Sequence, residues 1–128
     1  MIVKKPSIYI YTSEPEKQVL REICAGIEEE GVFYEIVEQE ATVTVHGEET
    51  VRNQRKASES IAAERLAWQA ARDSMLGSGV GIFGSACAFS MQGLAAARCV
   101  ESYEKPDREQ CRKLGANSAR AMKKQAFK

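Results

Sequence analysis

Ser7 to Ser13, SIYIYTS, alternates apolar and polar residues and is rich in β-formers, which predicts a strand at the start of the fold. Glu14-Pro15-Glu16 follows. Ser13 is placed to cap a helix, Pro15 suits a first helical turn, and Glu16 completes a capping-box spacing. Val19, Leu20, Ile23, Cys24 and Ile27 then recur at intervals of three and four, the apolar stripe of an amphipathic helix. Gly31 is the expected left-handed stop, and Phe33 to Val37 reads as a second strand. Strand, helix and strand in about 30 residues form a βαβ unit, which implies parallel strands and a right-handed crossover.

From Glu38 to Ser60 the pattern turns polar, with a short β-like ATVTVHG and a charged EETVRNQRKASES, and predicts a hairpin or loop insertion. A second helix is expected from about Ser58 to Met75, with Ile61, Ala62, Leu66 and Trp68 to Ala70 as its apolar surface. Glycines then break the pattern. Val80 to Phe83 and Ala86 to Met91 read as strands, and Ala97 to Val100 as a further one. Asp107, with Gln110 three residues on, has capping-box spacing for a last helix carrying Cys111, Leu114, Ala119 and Met122. The alternation predicts one α/β domain over residues 1–128, three-layered, with a mainly parallel twisted sheet and a polar insertion at about 38–60.

Composition narrows the function. Lys plus Arg equals Asp plus Glu, 18 against 18, which argues against a general nucleic-acid binder. No apolar run approaches the roughly 18 residues of a membrane span, and Lys4, Lys5 and Pro6 interrupt any signal-peptide core. The default location is the cytoplasm. Cys24, Cys87, Cys99 and Cys111 are scattered, which suits small buried hydrophobes better than a disulfide frame or a zinc site. The single histidine, His46, lies in the TVTVHG segment, where a strand end or turn is expected rather than a catalytic base.

Three motifs bear on function. Gly79 to Gly84 fits GxGxxG, with Glu104 about 20 residues further on, but the glycines follow a helix and flank a strand, against the order a dinucleotide site needs. No GxxxxGK[ST] occurs. Gly115, Ala116, Ser118 and Ala119 form a small-residue surface on the last helix. Either another backbone approaches it closely or the helix packs tightly on its own sheet. Glu28, Glu29 and Glu30 crowd the negative end of the first helix dipole, where each costs roughly 0.3–1 kcal/mol. Either this is a solvated acidic end, or one carboxylate reaches a hard cation or a basic partner. At roughly 100° per residue the three cannot share a direction.

EICAGIEEEGVFYEI, LAWQAARDSMLGSGVGIFG and CRKLGANSARAMKK together resemble the small subunit of the diol/glycerol dehydratase reactivases. The resemblance rests on three features in order: G-[IL]-E-E-x-G-[VI] at Gly26 to Val32, A-A-R-x-S at Ala70 to Ser74 before Val80 to Gly84, and L-G-x-N-[AS]-[AG] at Leu114 to Ala119. Phe33 stands where the family usually has proline. The resemblance implies a fold like the dehydratase medium-subunit domain and a non-catalytic partner of an actin-like ATPase large subunit in a heterotetramer. Such a complex releases damaged cobalamin from a cobalamin-dependent diol or glycerol dehydratase. By motif position it also implies that Glu29 bridges to a divalent metal, Mg or Ca, held by the large subunit, while this chain alone holds no cofactor. A bacterial microcompartment is a setting the resemblance leaves open. Two other readings remain at this point: a medium-type subunit of the dehydratase itself, and a free-standing flavodoxin-like small-molecule binder. The second lacks a glycine in Thr12-Ser13-Glu14-Pro15, where a phosphate loop would form.

Overall fold

The computed structural model describes residues 6–39, 52–94 and 98–123. The chain runs β1 (Ile8–Ser13), α1 (Lys17–Glu29), β2 (Tyr34–Glu38), α2 (Arg52–Asp73), β3 (Ser78–Phe83), β4 (Ala86–Met91), β5 (Glu101–Tyr103) and α3 (Arg108–Met122). The five strands form one sheet in the order β2-β1-β3-β4-β5. β1 pairs in parallel with β2 and β3, β4 is antiparallel to β3, and β5 is antiparallel to β4. Four strands therefore share a direction and β4 alone opposes them. The α/β sheet expected from the sequence is present, and it is mixed, with two parallel and two antiparallel pairings.

Alternation of the strand residues divides the core into two layers. Ile8, Ile10, Val80, Ile82, Cys87 and Phe89 face α1 and α3, where they meet Val19, Ile23, Ile27, Cys111 and Leu114. The opposite face carries Tyr11, Ala86 and Ala88 and is covered by α2. Glycine sets the spacing there. A Cβ on Gly79 would lie 2.1 Å from the Ala71 nitrogen, and one on Gly81 would lie 2.1 Å from the Ala63 oxygen. The GxGxxG glycines thus admit a helix backbone and leave no room for a dinucleotide.

That close approach corrects the expected apolar face of α2. The buried stripe is Ala63, Leu66, Ala67, Ala70 and Ala71, whereas Ile61 is half exposed. Four of these five are alanines, which suits a strand that has no side chains of its own at Gly79 and Gly81. Ser74, the last residue of the A-A-R-x-S motif, donates from Oγ to the Ser7 carbonyl at 2.6 Å and ties the end of α2 to the start of β1.

Other boundaries also moved. α2 begins at Arg52, so the last part of the polar insertion is helix. The ATVTVHG segment with His46 lies outside the described residues. The strand expected at Ala97 to Val100 is found at Glu101–Tyr103, and residues 98–100 are not strand. The Ser13 capping box is absent. Ser13 belongs to β1, its carbonyl accepts from the Gly84 amide at 3.2 Å, and Glu16 is the N-cap without a side-chain cap bond. The capping box at Asp107 and Gln110 is present in both directions, at 2.7 and 3.0 Å. Among the described residues no helix is long and apolar enough to cross a membrane.

Candidate functional site

α1 and α3 lie side by side in the same direction, and glycine again sets their separation. A Cβ on Gly26 would stand 2.1 Å from the Arg112 carbonyl oxygen, and one on Gly115 would stand 2.1 Å from the Ile23 carbonyl oxygen. The small surface around Gly115 therefore receives another backbone, and that backbone is α1 of the same domain. On the sheet side, Ser78 Oγ donates to the Ser118 carbonyl at 3.0 Å, and Asn117 is buried and donates to the Glu101 carboxylate on β5.

Along this seam the acidic groups of α1 meet the basic groups of α3 in register. Glu22 is buried, with 8% of its side chain exposed, and pairs with Arg108 Nε at 3.1 Å and Arg112 Nη2 at 2.9 Å. Two turns further on, Glu29 Oε1 lies 3.4 Å from Arg112 Nη1. At the end of the seam Glu30 pairs with Arg120 at 3.2 Å and Lys123 at 3.0 Å. Glu22 lies three residues from Val19 and four from Gly26, on the buried face of α1. A carboxylate on that stripe requires a partner, because an ion loses its hydration on burial. That requirement, together with Arg108 and Arg112 one turn apart, is the signal that identifies these residues; the sequence reading did not use it.

The three consecutive glutamates separate as their angular spacing requires: Glu28 and Glu29 are exposed, and of these two Glu29 has the longer contact. Glu28 accepts from the Tyr34 hydroxyl on β2. This contact, followed by burial, raises the Tyr34 pKa above the usual phenol range. Glu30 departs from a solvated acidic end, since only 8% of its side chain is exposed, whereas Glu28 and Glu29 are exposed. Lys123 Nζ reaches both the Glu30 carboxylate and the Glu30 carbonyl, the latter at 2.8 Å. The cation that the α1 dipole calls for is present, but α3 supplies it. Gly31 then turns the chain at φ 73°, as expected of the stop.

Glu29 remains 44% exposed, with one long contact through Oε1. It borders a cleft of about 590 Å³ lined also by Arg108, Glu109, Arg112, Lys113 and Ala116. A half-exposed carboxylate with an oxygen to offer suits a hard cation approached from outside. Among the described residues no group of three or more His, Cys, Asp or Glu could enclose a metal ion. Glu29 thus offers a cation one exposed carboxylate, with Arg112 as the basic group beside it.

The sheet's switch point, between the carboxyl ends of β1 and β3, is closed by backbone. Gly84 donates to Ser13, and the Glu16 amide donates to the Gly84 carbonyl at 2.9 Å. The amides that would cradle a phosphate at the start of α1 are committed in part to this lacing, so the geometry disfavours the flavodoxin-like reading. The described cysteines are buried or half-buried thiols. Burial holds Cys24 above its ordinary range, and the Cys87 thiol is pushed up first by its hydrogen bond to Cys111 and then by burial.

The chain is similar over nearly its whole length to two solved structures. One is described as "Structure of diol dehydratase-reactivating factor complexed with ADP and Mg2+", with 26% identity, 98% of this chain and 99% of that chain covered, and a TM-score of 0.75. The other is a glycerol dehydratase reactivase, with 22% identity, 97% of each chain covered and a TM-score of 0.75, a likeness of fold. No curated protein sequence matches the chain. The family model described as dehydratase medium subunit matches residues 5–47 and 45–128, and with the doubly covered sheet now described, the chain belongs to that family.

Proposed function

We propose that this chain is the small subunit of a dehydratase reactivase, a non-catalytic, chaperone-like partner. In this reading it joins an actin-like ATPase large subunit in a heterotetramer that releases damaged cobalamin from a cobalamin-dependent diol or glycerol dehydratase. The observation that carries the reading is the end-to-end likeness to the diol dehydratase-reactivating factor, at 26% identity over 98% of the chain. Membership of the dehydratase medium subunit family adds a physical rationale. Two domains of one fold compete for one surface, and a nucleotide-driven change in the large subunit biases the choice through differential affinity. Glu29 faces that surface and contributes one oxygen to a divalent cation, Mg2+ or Ca2+, held mainly by the large subunit. The assembly works in the cytoplasm, and co-localisation with shell proteins tests whether it enters a microcompartment.

Co-expression with an actin-like ATPase large subunit of a dehydratase reactivase tests the reading. The expected result is a stable complex that restores turnover to a dehydratase inactivated with damaged cobalamin. Failure to associate, or association without reactivation, overturns it. Glu29→Gln is expected to weaken assembly at limiting Mg2+ and to do so less at saturating Mg2+. An assembly insensitive to both substitution and chelator removes the metal role. The family description also favours a second reading, a medium-type subunit of the dehydratase. Adenosylcobalamin-dependent diol turnover on mixing with the other dehydratase subunits would establish that alternative.

A further inference from the structure

We infer that Arg112 is the internal competitor for the Glu29 carboxylate: it occupies Glu29 in the unassembled chain and gives it up when a divalent cation arrives. The inference rests on the reading of Glu29 as a cation ligand and assigns the residue that regulates it. Arg112 is fixed from two sides. Its backbone carbonyl is pressed against Gly26, where a Cβ would come within 2.1 Å, so its position relative to α1 cannot drift. Its Nη2 is anchored 2.9 Å from the buried Glu22, whose other oxygen is held by Arg108 at 3.1 Å. The remaining terminal nitrogen, Nη1, points along α1 to Glu29 at 3.4 Å. Arg112 Nε and Glu22 Oε2 are both buried without a hydrogen-bond partner among the described residues, so the Glu22 tip of the fork is a close ion pair held by charge rather than an aligned hydrogen bond.

The two halves of the fork differ in strength. The Glu22 half is short and buried on the carboxylate side. The Glu29 half is long, and both side chains are about two-fifths exposed, so water and salt screen it. A cation bound to Glu29 would face the guanidinium as a like charge, and the weak half is the one that yields. The strong half keeps Arg112 seated as Glu29 leaves, and the α1–α3 seam does not have to open. Arg112 thus acts as a positioning residue: it holds the Glu29 carboxylate over the cleft and sets how much cation is needed to claim it.

The test is a Mg2+ titration of assembly with the ATPase large subunit at fixed protein concentration, followed by sedimentation. Arg112→Gln is expected to lower the half-saturating Mg2+ concentration by about two- to fivefold, the range set by an exposed ion pair. In a Glu29→Gln background the same substitution is expected to leave the midpoint unchanged, a coupling that a merely structural role would not produce. Arg112→Lys guards against misfolding. A single ammonium stays with the buried Glu22 and releases Glu29, so it too lowers the midpoint. An unchanged or raised midpoint in a folded variant, or an equal shift with and without Glu29, overturns the inference. Wild-type assembly that ignores Mg2+ overturns instead the reading on which it rests.

Discussion

Gly115→Ala sets two effects of opposite sign against each other, and the structure says which wins. Within a helix, alanine is favoured over glycine by about 1 kcal/mol, so propensity alone predicts a more stable protein. At Gly115, however, the new Cβ would lie 2.1 Å from the Ile23 carbonyl oxygen, 2.9 Å from its carbon and 3.1 Å from its Cα. Ordinary contact begins near 3.4 Å, so α1 and α3 must part by about 1 Å or more, and all three obstructing atoms are backbone. Overpacking of this kind costs typically 1–3 kcal/mol and at times more. A gap of 0.5–1 Å also forfeits a quarter to a half of the dispersion energy of contacts along the seam. Separation further stretches the Glu22 and Glu30 ion pairs beside it. After the propensity gain is subtracted, the substitution is expected to destabilise the protein by about 1–3 kcal/mol. At this chain length that lowers the melting temperature by roughly 4–12 °C, measured by calorimetry or far-UV circular dichroism. A melting temperature that is unchanged or higher would show that propensity wins and that the helices are not in backbone contact.

Glu30→Gln is expected to lower stability by about 1–2 kcal/mol, because it withdraws the charge that Lys123 and Arg120 meet at the end of α1. The Mg2+ midpoint of assembly should stay unchanged, and a shift there would move the cation role from Glu29 to its neighbour. Cys99 is pushed up to about 12, chiefly by burial. Its alkylation in the native state should therefore rise about tenfold per pH unit from pH 8 to 11, and a plateau near pH 9 would contradict this. Tyr103 is likewise raised to about 12, first by burial and then by its hydrogen bond to Glu101. Its contribution to stability is complete below the unfolded phenol value near 10 and is lost as pH rises from 10 to 12. Tyr103→Phe should flatten the fall of the melting temperature across that window, and an unchanged slope would refute the assignment.

Local signals in the chain were enough to place most elements. The alternation of SIYIYTS, the spacing of Val19, Ile23 and Ile27, the Gly31 stop and the Asp107–Gln110 box each act within one turn or one strand, and each is found where expected. Such features depend on neighbours in sequence, so a pattern suffices. The misplaced features depend on what arrives from elsewhere. Ser13 does not cap α1 because β3 pairs with it. α2 buries alanines rather than Ile61 because two glycines on β3 draw its backbone in. The sheet's one reversed strand, β4, needs only a tight turn after β3, which apolar runs of this kind do not distinguish from a crossover.

The same division runs through the candidate site. Sequence alone determined that three carboxylates crowd the end of α1, that their directions diverge, and that they oppose the helix dipole. It also singled out Glu29, through a family motif rather than through physics. Only the tertiary structure decided what each carboxylate does. Glu28 binds Tyr34, Glu30 is buried against Lys123 and Arg120, and Glu29 is left at the surface with a single weak hold on Arg112. The partners lie up to 93 residues away in sequence. They meet because Gly26 and Gly115 let two helix backbones touch. Charge pairing across such a seam has no period along the chain, so it becomes visible only once the two helices are side by side.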